Sequence, residues 1–311
     1  MGLNCFSFQV QRDAASIELL WAADNFREGN ERPSGSGIPI LFPFPGRLGG
    51  ETFRFEGREY QLAAGDGRGN AIHGFLHTRP WRVLRQEAHL LEAQFTASLD
   101  DASILERWPG DFEVTATYTI ENERLTLELC LMNPGDQPCP WGLGLHPYFR
   151  VPIEPMDTAG DGDPSQRLVR GAACQLQVPV AKAWELQDML PTGEVVEASD
   201  IEGTGGGDLS AGIAIGDRHL DDVFTQVALV DGVATSRITD PASGRTIQVT
   251  GDDTFRECVL YTPGHREAVC IEPYSCVPDA YSLAERGVET GLRILQPGES
   301  HQTRMTIALE T

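Results

Sequence analysis

Apolar and polar residues alternate with a period of two along much of the chain. Val114, Ala116, Tyr118 and Ile120 hold every second position of one run, and Leu125, Leu127, Leu129 and Leu131 do so in the next. The polar triplet Glu121-Asn122-Glu123 separates them, so the pattern predicts a β-hairpin with one face buried. Residues 52–62 read as a second hairpin turning at Glu56-Gly57. Further strands are expected at 16–21, 81–85, 91–98, 245–250, 258–262 and 303–309. Helical periodicity is thin: a short turn is expected at 100–106 and another at 278–286, where Pro278 stands near the start. No helices of 10–15 residues alternate with the strands, which argues against a doubly wound α/β sheet. Many short strands between glycine- and proline-rich turns predict an all-β fold, a large sandwich or barrel with a few short helices. No linker divides the chain, so residues 1–311 are read as a single domain. The glycine-rich stretch 203–208 lacks the Lys-Ser/Thr of a phosphate loop and reads as a surface loop. So does 157–166, rich in Gly, Asp and Pro.

Composition narrows the choice of partner. With 24 basic and 46 acidic residues among 311, the formal charge is −22. A nucleic acid or an anionic membrane surface wants the opposite sign, so neither is expected as a partner. No apolar run reaches the ~18 residues of a membrane span. The first residues lack the basic and apolar regions of a secretory signal. The seven cysteines, 5, 130, 139, 174, 258, 270 and 276, are odd in number and contain no CxxC. Reduced thiols in a cytoplasmic protein are therefore expected, with most of them, Cys270 and Cys276 included, serving as small core residues. No His/Cys spacing matches a zinc site, and neither metal nor cofactor is expected.

Five segments mix His, Arg and carboxylates with Gly, Pro and aromatics, the composition of a site and not of a strand face. They are the run Pro39-Ile-Leu-Phe-Pro-Phe-Pro-Gly-Arg47, the HGF of His73-Gly74-Phe75, the HPYF of His146-Pro147-Tyr148-Phe149, the LDDVF around Asp221 and Asp222, and the apolar run that ends in Glu272-Pro273. Together they supply two imidazoles, one carboxylate at the end of an apolar strand, one guanidinium and one further carboxylate. That set suits a neutral, hydroxyl-rich ligand: Arg and Asp hydrogen-bond hydroxyls, aromatics cover a sugar face, and His with Glu moves protons.

The order of these motifs (LFPFPGR, HGF followed by Trp81, HPYF, the LPTGE at Leu190 to Glu194, LDDVF, the strand ending in EP, then PDA at 278–280) resembles the aldose 1-epimerase or mutarotase family over about residues 39–283. The resemblance implies a large galactose mutarotase-like β-sandwich, as monomer or homodimer, with the sugar in an open cleft. It also implies roles. His146 is the general acid, Glu272 the general base, and His73 a second histidine on the sugar that helps polarise the ring oxygen. Arg47 and Asp221 bind hydroxyls, and Asp222 is the neighbour that could be confused with Asp221. Gly46 stands where the family usually has Asn. A nearby carboxylate is expected to raise the pKa of His146 and keep it charged near neutrality. Three other readings are weighed. A hexose-6-phosphate 1-epimerase would need a cationic pocket, with Arg68, Arg79 and Arg82 as candidates. A carbohydrate-binding sandwich would have no use for both His146 and Glu272. A glycoside hydrolase would need a carboxylate pair, and Asp221 with Glu272 is the candidate.

Overall fold

The computed structural model describes residues 2–12, 15–156 and 163–310. Among these, two large antiparallel sheets dominate. The first has nine strands, in the spatial order Ile213–Ala214, Gln175–Gln177, Val233–Asp240, Arg245–Asp252, Ser300–Glu310, Arg124–Met132, Glu113–Glu121, Leu90–Thr96 and Arg82–Gln86. Its centre is the predicted hairpin. Val114 faces Leu131, Ala116 faces Leu129 and Tyr118 faces Leu127 across the ladder. The turn is tighter than expected: Asn122 and Glu123 alone connect the strands, both with positive φ (50° and 60°). That is the backbone twist that matches a two-residue hairpin to its strands. Ile120, at the tip, is exposed, although Leu125 opposite it in the ladder is buried.

The second sheet has eight strands. Leu190–Glu197, Lys182–Gln187, Asp221–Thr225, Glu257–Tyr261, Ala268–Tyr274, Gly144–Leu145 and Ile40–Leu41 follow in order, and Tyr148–Arg150 also pairs with Ala268–Tyr274. One face, carrying Phe224, Leu260, Val269 and Ile271, shares a core with Val114, Leu127, Ile247 and Ile307 of the nine-stranded sheet. The other face carries a second cluster in which Val223, Val259 and Tyr274 pack with Val277, Ala280 and Leu283. A strand covered on both faces reads as a continuous apolar run and loses its alternation. This is why Ala268 to Ile271 is uniformly apolar and why the glutamate that ends it is buried.

The other expected strands form within a few residues of their predicted ends, except that 16–21 narrows to Ala15–Glu18. The hairpin at 52–62 turns at Glu56-Gly57 as expected. The turn at 100–106 is the 3₁₀ helix Ala102–Glu106, capped by Asp101, and 278–286 holds the helix Ala280–Glu285. The loop reading of 157–166 needs correction at its end: Asp163 caps a ten-residue helix, Pro164–Ala173, with proline in its first turn. Residues 157–162 of that segment lie outside the described residues. All seven cysteines are free. No helix among the described residues is long and apolar enough to cross a membrane.

Candidate active site

The pleat of the second sheet builds the floor of a cleft. Register pairs Asp221 with Tyr261 and Tyr261 with Cys270. One row along, it pairs Val223 with Val259 and Val259 with Glu272. These residues alternate with the core-facing Leu260 and Ile271, so all point away from the sandwich core. Glu272 therefore enters the cleft because it is an even step from Cys270 and an odd step from Ile271. Its Oε2 accepts a hydrogen bond from Tyr274 Oη at 2.8 Å, two residues on along the same face.

His146 arrives from the short link between Gly144–Leu145 and Tyr148–Arg150. Its backbone N–H donates to Pro39 O at 3.1 Å. Its ring lies on Tyr148, centroids 4.7 Å apart and 3° from parallel, and Nε2 stands 3.3 Å from Glu272 Oε1. Pro147 sends the chain onward so that imidazole and phenol stack across it.

His73 is placed by strain. Both His73 (φ 65°) and Gly74 (φ 63°) are left-handed, a double bend that lets His73 N–H donate to Gly46 O at 2.8 Å and Phe75 N–H to Phe42 O at 2.8 Å. Its ring meets His146 edge-on at 5.8 Å. A Cβ on Gly74 would sit 2.2 Å from Phe42 O. Gly74→Ala is accordingly expected to cost more than about 1 kcal/mol, with a lower melting temperature in a thermal scan and a lower kcat/KM. An unchanged melting temperature would contradict this account of the bend.

Arg47 opens a two-residue strand paired with Ala71–Ile72. Its Nε is 3.3 Å from Asp66 Oδ2 and one Nη is 4.0 Å from Asp221 Oδ2. Burial works against the Asp66 charge, but hydrogen bonds from Asn70 and from the Arg68 backbone, with Arg47 beside it, hold its carboxyl at about 2. Asp66 thus fixes Arg47, while Asp221 at the mouth is pushed up by surrounding protein against the pull of Arg47 and Arg68. Gly46 is left-handed (φ 62°), and a Cβ there would press within 2.7 Å of Pro278. A close approach to Pro278 therefore occupies the space that a side chain at position 46 would take.

The cleft spans ≈ 700 Å³ including its open mouth, and all five expected residues line it. So do Arg32, Ser34, Tyr148, Tyr261 and Tyr274, which sequence reasoning did not single out as site residues. The tyrosines were legible inside the HPYF and EPY runs; Arg32 carried no signal beyond a lone cation in a polar loop. Asp222 does not line the cleft; its Oδ2 accepts from Asp221 N–H and lies beside Gly203. Arg79 and Arg82 are not brought there either: they pair with Asp101 at 2.7 Å and Asp100 at 2.9 Å. Arg68 does not line the cleft.

The electrostatics differ from the sequence expectation. Burial lowers His146 to about 3, where a raised value was expected. Burial also raises Glu272 well above the usual carboxylate range, with Tyr274 donating against it. Loss of hydration opposes the charged form of each. Both shifts favour the neutral forms, an imidazole beside a carboxylic acid. His73 is lowered for the same reason. His146, Cys270 and Glu272 bring ligand atoms within 4.8 Å of one another, and burial raises the Cys270 thiol well above its ordinary value.

Comparison with known proteins gives the family and the fold. The profile of the family described as Aldose 1-epimerase matches residues 4–308. The chain is 25% identical over 282 residues to the uncharacterized protein YphB of Escherichia coli K12, covering 87% of this chain and 82% of that one. It is 22% identical over 267 residues to the uncharacterized protein YihR of the same organism, covering 85% and 76%. A galactose mutarotase-like protein of Clostridium acetobutylicum superposes with a TM-score of 0.80 at 20% identity, covering 98% of this chain and 89% of that one. The GalM/aldose epimerase homologue of C. elegans does so at 0.76 and 18%, covering 99% and 92%.

Proposed function

The chain belongs to the aldose 1-epimerase family, and from that premise we propose that it interconverts the α and β anomers of a free hexose, with Glu272 as base, His146 as acid, His73 on the ring oxygen and Arg47 and Asp221 on hydroxyls. The observation that carries the reading is the 3.3 Å approach of His146 Nε2 to Glu272 Oε1 in a cleft lined by tyrosines. Residues 1–311 act as one unit in this reading, because the cleft draws on segments from Arg32 to Pro278.

The chemistry needs one proton in the pair. Sugar hydroxyls that donate to Glu272 favour its charged form. The proton then passes across the short gap to His146, leaving a carboxylate base beside an imidazolium acid. Glu272 takes the C1 hydroxyl proton as C1=O forms, the C1–O5 bond breaks, and His146 gives its proton to O5. Rotation about C1–C2 presents the other face of the aldehyde. O5 attacks it, His146 takes back the O5 proton, and Glu272 returns one to the new C1 hydroxyl.

The shifts set the pH dependence. The pair gains a second proton only as pH falls through about 3, the value of His146, and loses its single proton as pH rises through the raised value of Glu272. Above the spontaneous rate, kcat/KM is expected to show no acid limb above about pH 4 and to fall on the alkaline side as Glu272 loses its proton. An acid limb centred near the ordinary histidine value would contradict the neutral pair.

Polarimetry of freshly dissolved α-D-glucose and α-D-galactose tests the activity itself. Faster relaxation to the unchanged equilibrium rotation is expected, and the methyl glycoside, whose anomeric oxygen is blocked, is expected to remain untouched. Hydrolysis of the glycoside, or no acceleration with any hexose, would overturn the reading.

A further inference from the structure

The two arginines of the cleft are differently employed. Arg47 is engaged by Asp66 and Asp221. Arg32 donates through Nε to Ser34 Oγ at 3.0 Å, and its terminal nitrogens have no partner among the described residues. The loop that presents it is anchored: Asn4 donates to Ser36 O at 2.9 Å and accepts from Ile38 N–H at 3.0 Å, and Gly35 N–H closes a turn on Arg32 O at 2.9 Å. Arg32 is exposed at the cleft, and of the two arginines that line it, it is the one without a carboxylate partner among the described residues.

Its position says which part of the sugar it meets. Arg32 is joined to His146 by a short physical path: Arg32 to Ser34, the Ser34 carbonyl to Tyr148 Oη at 3.0 Å, and Tyr148 to His146 by stacking. Arg47 lies 4.0 Å from Asp221, and these two act on the charge of Glu272, whereas Arg32 acts on that of His146. In the proposed reaction His146 serves O5 and Glu272 serves the C1 hydroxyl. O5 is bonded to C5, and C5 carries C6. The imidazole side of the cleft is therefore the C6 side, and Arg32 stands there.

We infer that Arg32 is a specificity-determining residue that binds a singly charged C6 carboxylate, so that the preferred substrates are hexuronates. The inference rests on the 1-epimerase reading above. A single guanidinium fork matches one carboxylate. A dianionic phosphate would meet the same lone cation inside a strongly negative protein, with Arg79 and Arg82 occupied elsewhere.

The test measures anomer exchange by NMR for D-glucuronate, D-galacturonate, D-glucose and D-glucose 6-phosphate, with wild type, Arg32→Met and Arg32→Lys. In the wild type, kcat/KM for a uronate is expected to exceed that of glucose by about tenfold or more. Arg32→Met is expected to lower the uronate-to-glucose ratio about 10- to 100-fold, and Arg32→Lys, which keeps the charge, to retain more of it. A wild-type ratio at or below one, an Arg32→Met ratio equal to wild type, or a preference for the 6-phosphate would overturn this inference while leaving the epimerase reading in place. No acceleration of any of the four sugars would overturn both.

Discussion

Glu272→Gln is expected to lower catalysed anomer exchange by about 10²- to 10⁴-fold, the range of a positioned general base. The amide is nearly isosteric and still accepts from Tyr274, whose hydroxyl lies 2.8 Å away, so the fold should persist. It cannot take a proton from the C1 hydroxyl, nor pass one across to His146 Nε2. Polarimetry on a hexose checks the rate, and an unchanged thermal midpoint separates a chemical loss from unfolding. A variant within about threefold of wild type would remove Glu272 from the reaction.

The second large effect is on stability. Trp108 is fully buried and has rings on several sides: Phe53 at 4.7 Å, Tyr281 at 5.4 Å, Phe44 at 5.5 Å and Phe75 at 6.1 Å. Its indole N–H donates to Pro140 O at 3.0 Å. Trp108→Ala is expected to cost about 3–5 kcal/mol, from lost burial and the cavity left behind. Removing the donor also leaves the Pro140 carbonyl without that partner. The position matters for function as well. Phe44 lies three residues before Arg47 and Phe75 two after His73, so this cluster clamps both loops that deliver site residues. Denaturant unfolding with activity measured on the folded fraction checks both parts. A loss under about 1 kcal/mol would mean that the cluster collapses onto the gap.

Sequence patterning reached six of the nine strands of the first sheet, where the period of two survives, but missed Val233–Asp240, whose alternating burial is carried by Ala, Ser, Ile and Asp and so leaves little apolar signal. It reached the second sheet less well. The pair Lys182–Gln187 and Leu190–Glu197, joined by a bulged ladder, shows no clean alternation. The helix Pro164–Ala173 escaped because it buries little: Gly171 is its only fully buried residue, so no apolar stripe marked it. All five expected site residues meet in one cleft; Arg47, His73, His146 and Asp221 sit at strand starts or bends, which Pro or Gly advertise at the first three, while Glu272 lies inside its strand and was marked by Pro273 after an apolar run. The charge state of the pair was not legible. Neighbouring residue types suggested that Glu272 would raise His146, whereas the burial that lowers it comes from Pro39, Tyr148 and Tyr261, brought in from three separate segments. Arg79 and Arg82 looked free only because Asp100 and Asp101 are distant in sequence and close in space.

The central claim is that Glu272 and His146 work as one proton-sharing unit. The most direct measurement is a double-mutant cycle on anomer exchange with Glu272→Gln, His146→Asn and both together. Residues that act as a unit are strongly non-additive. The account predicts that each single substitution removes most of the acceleration and that the double variant is slower than the worse single by no more than about threefold. Losses that multiply, or either single variant retaining the wild-type rate, would contradict it.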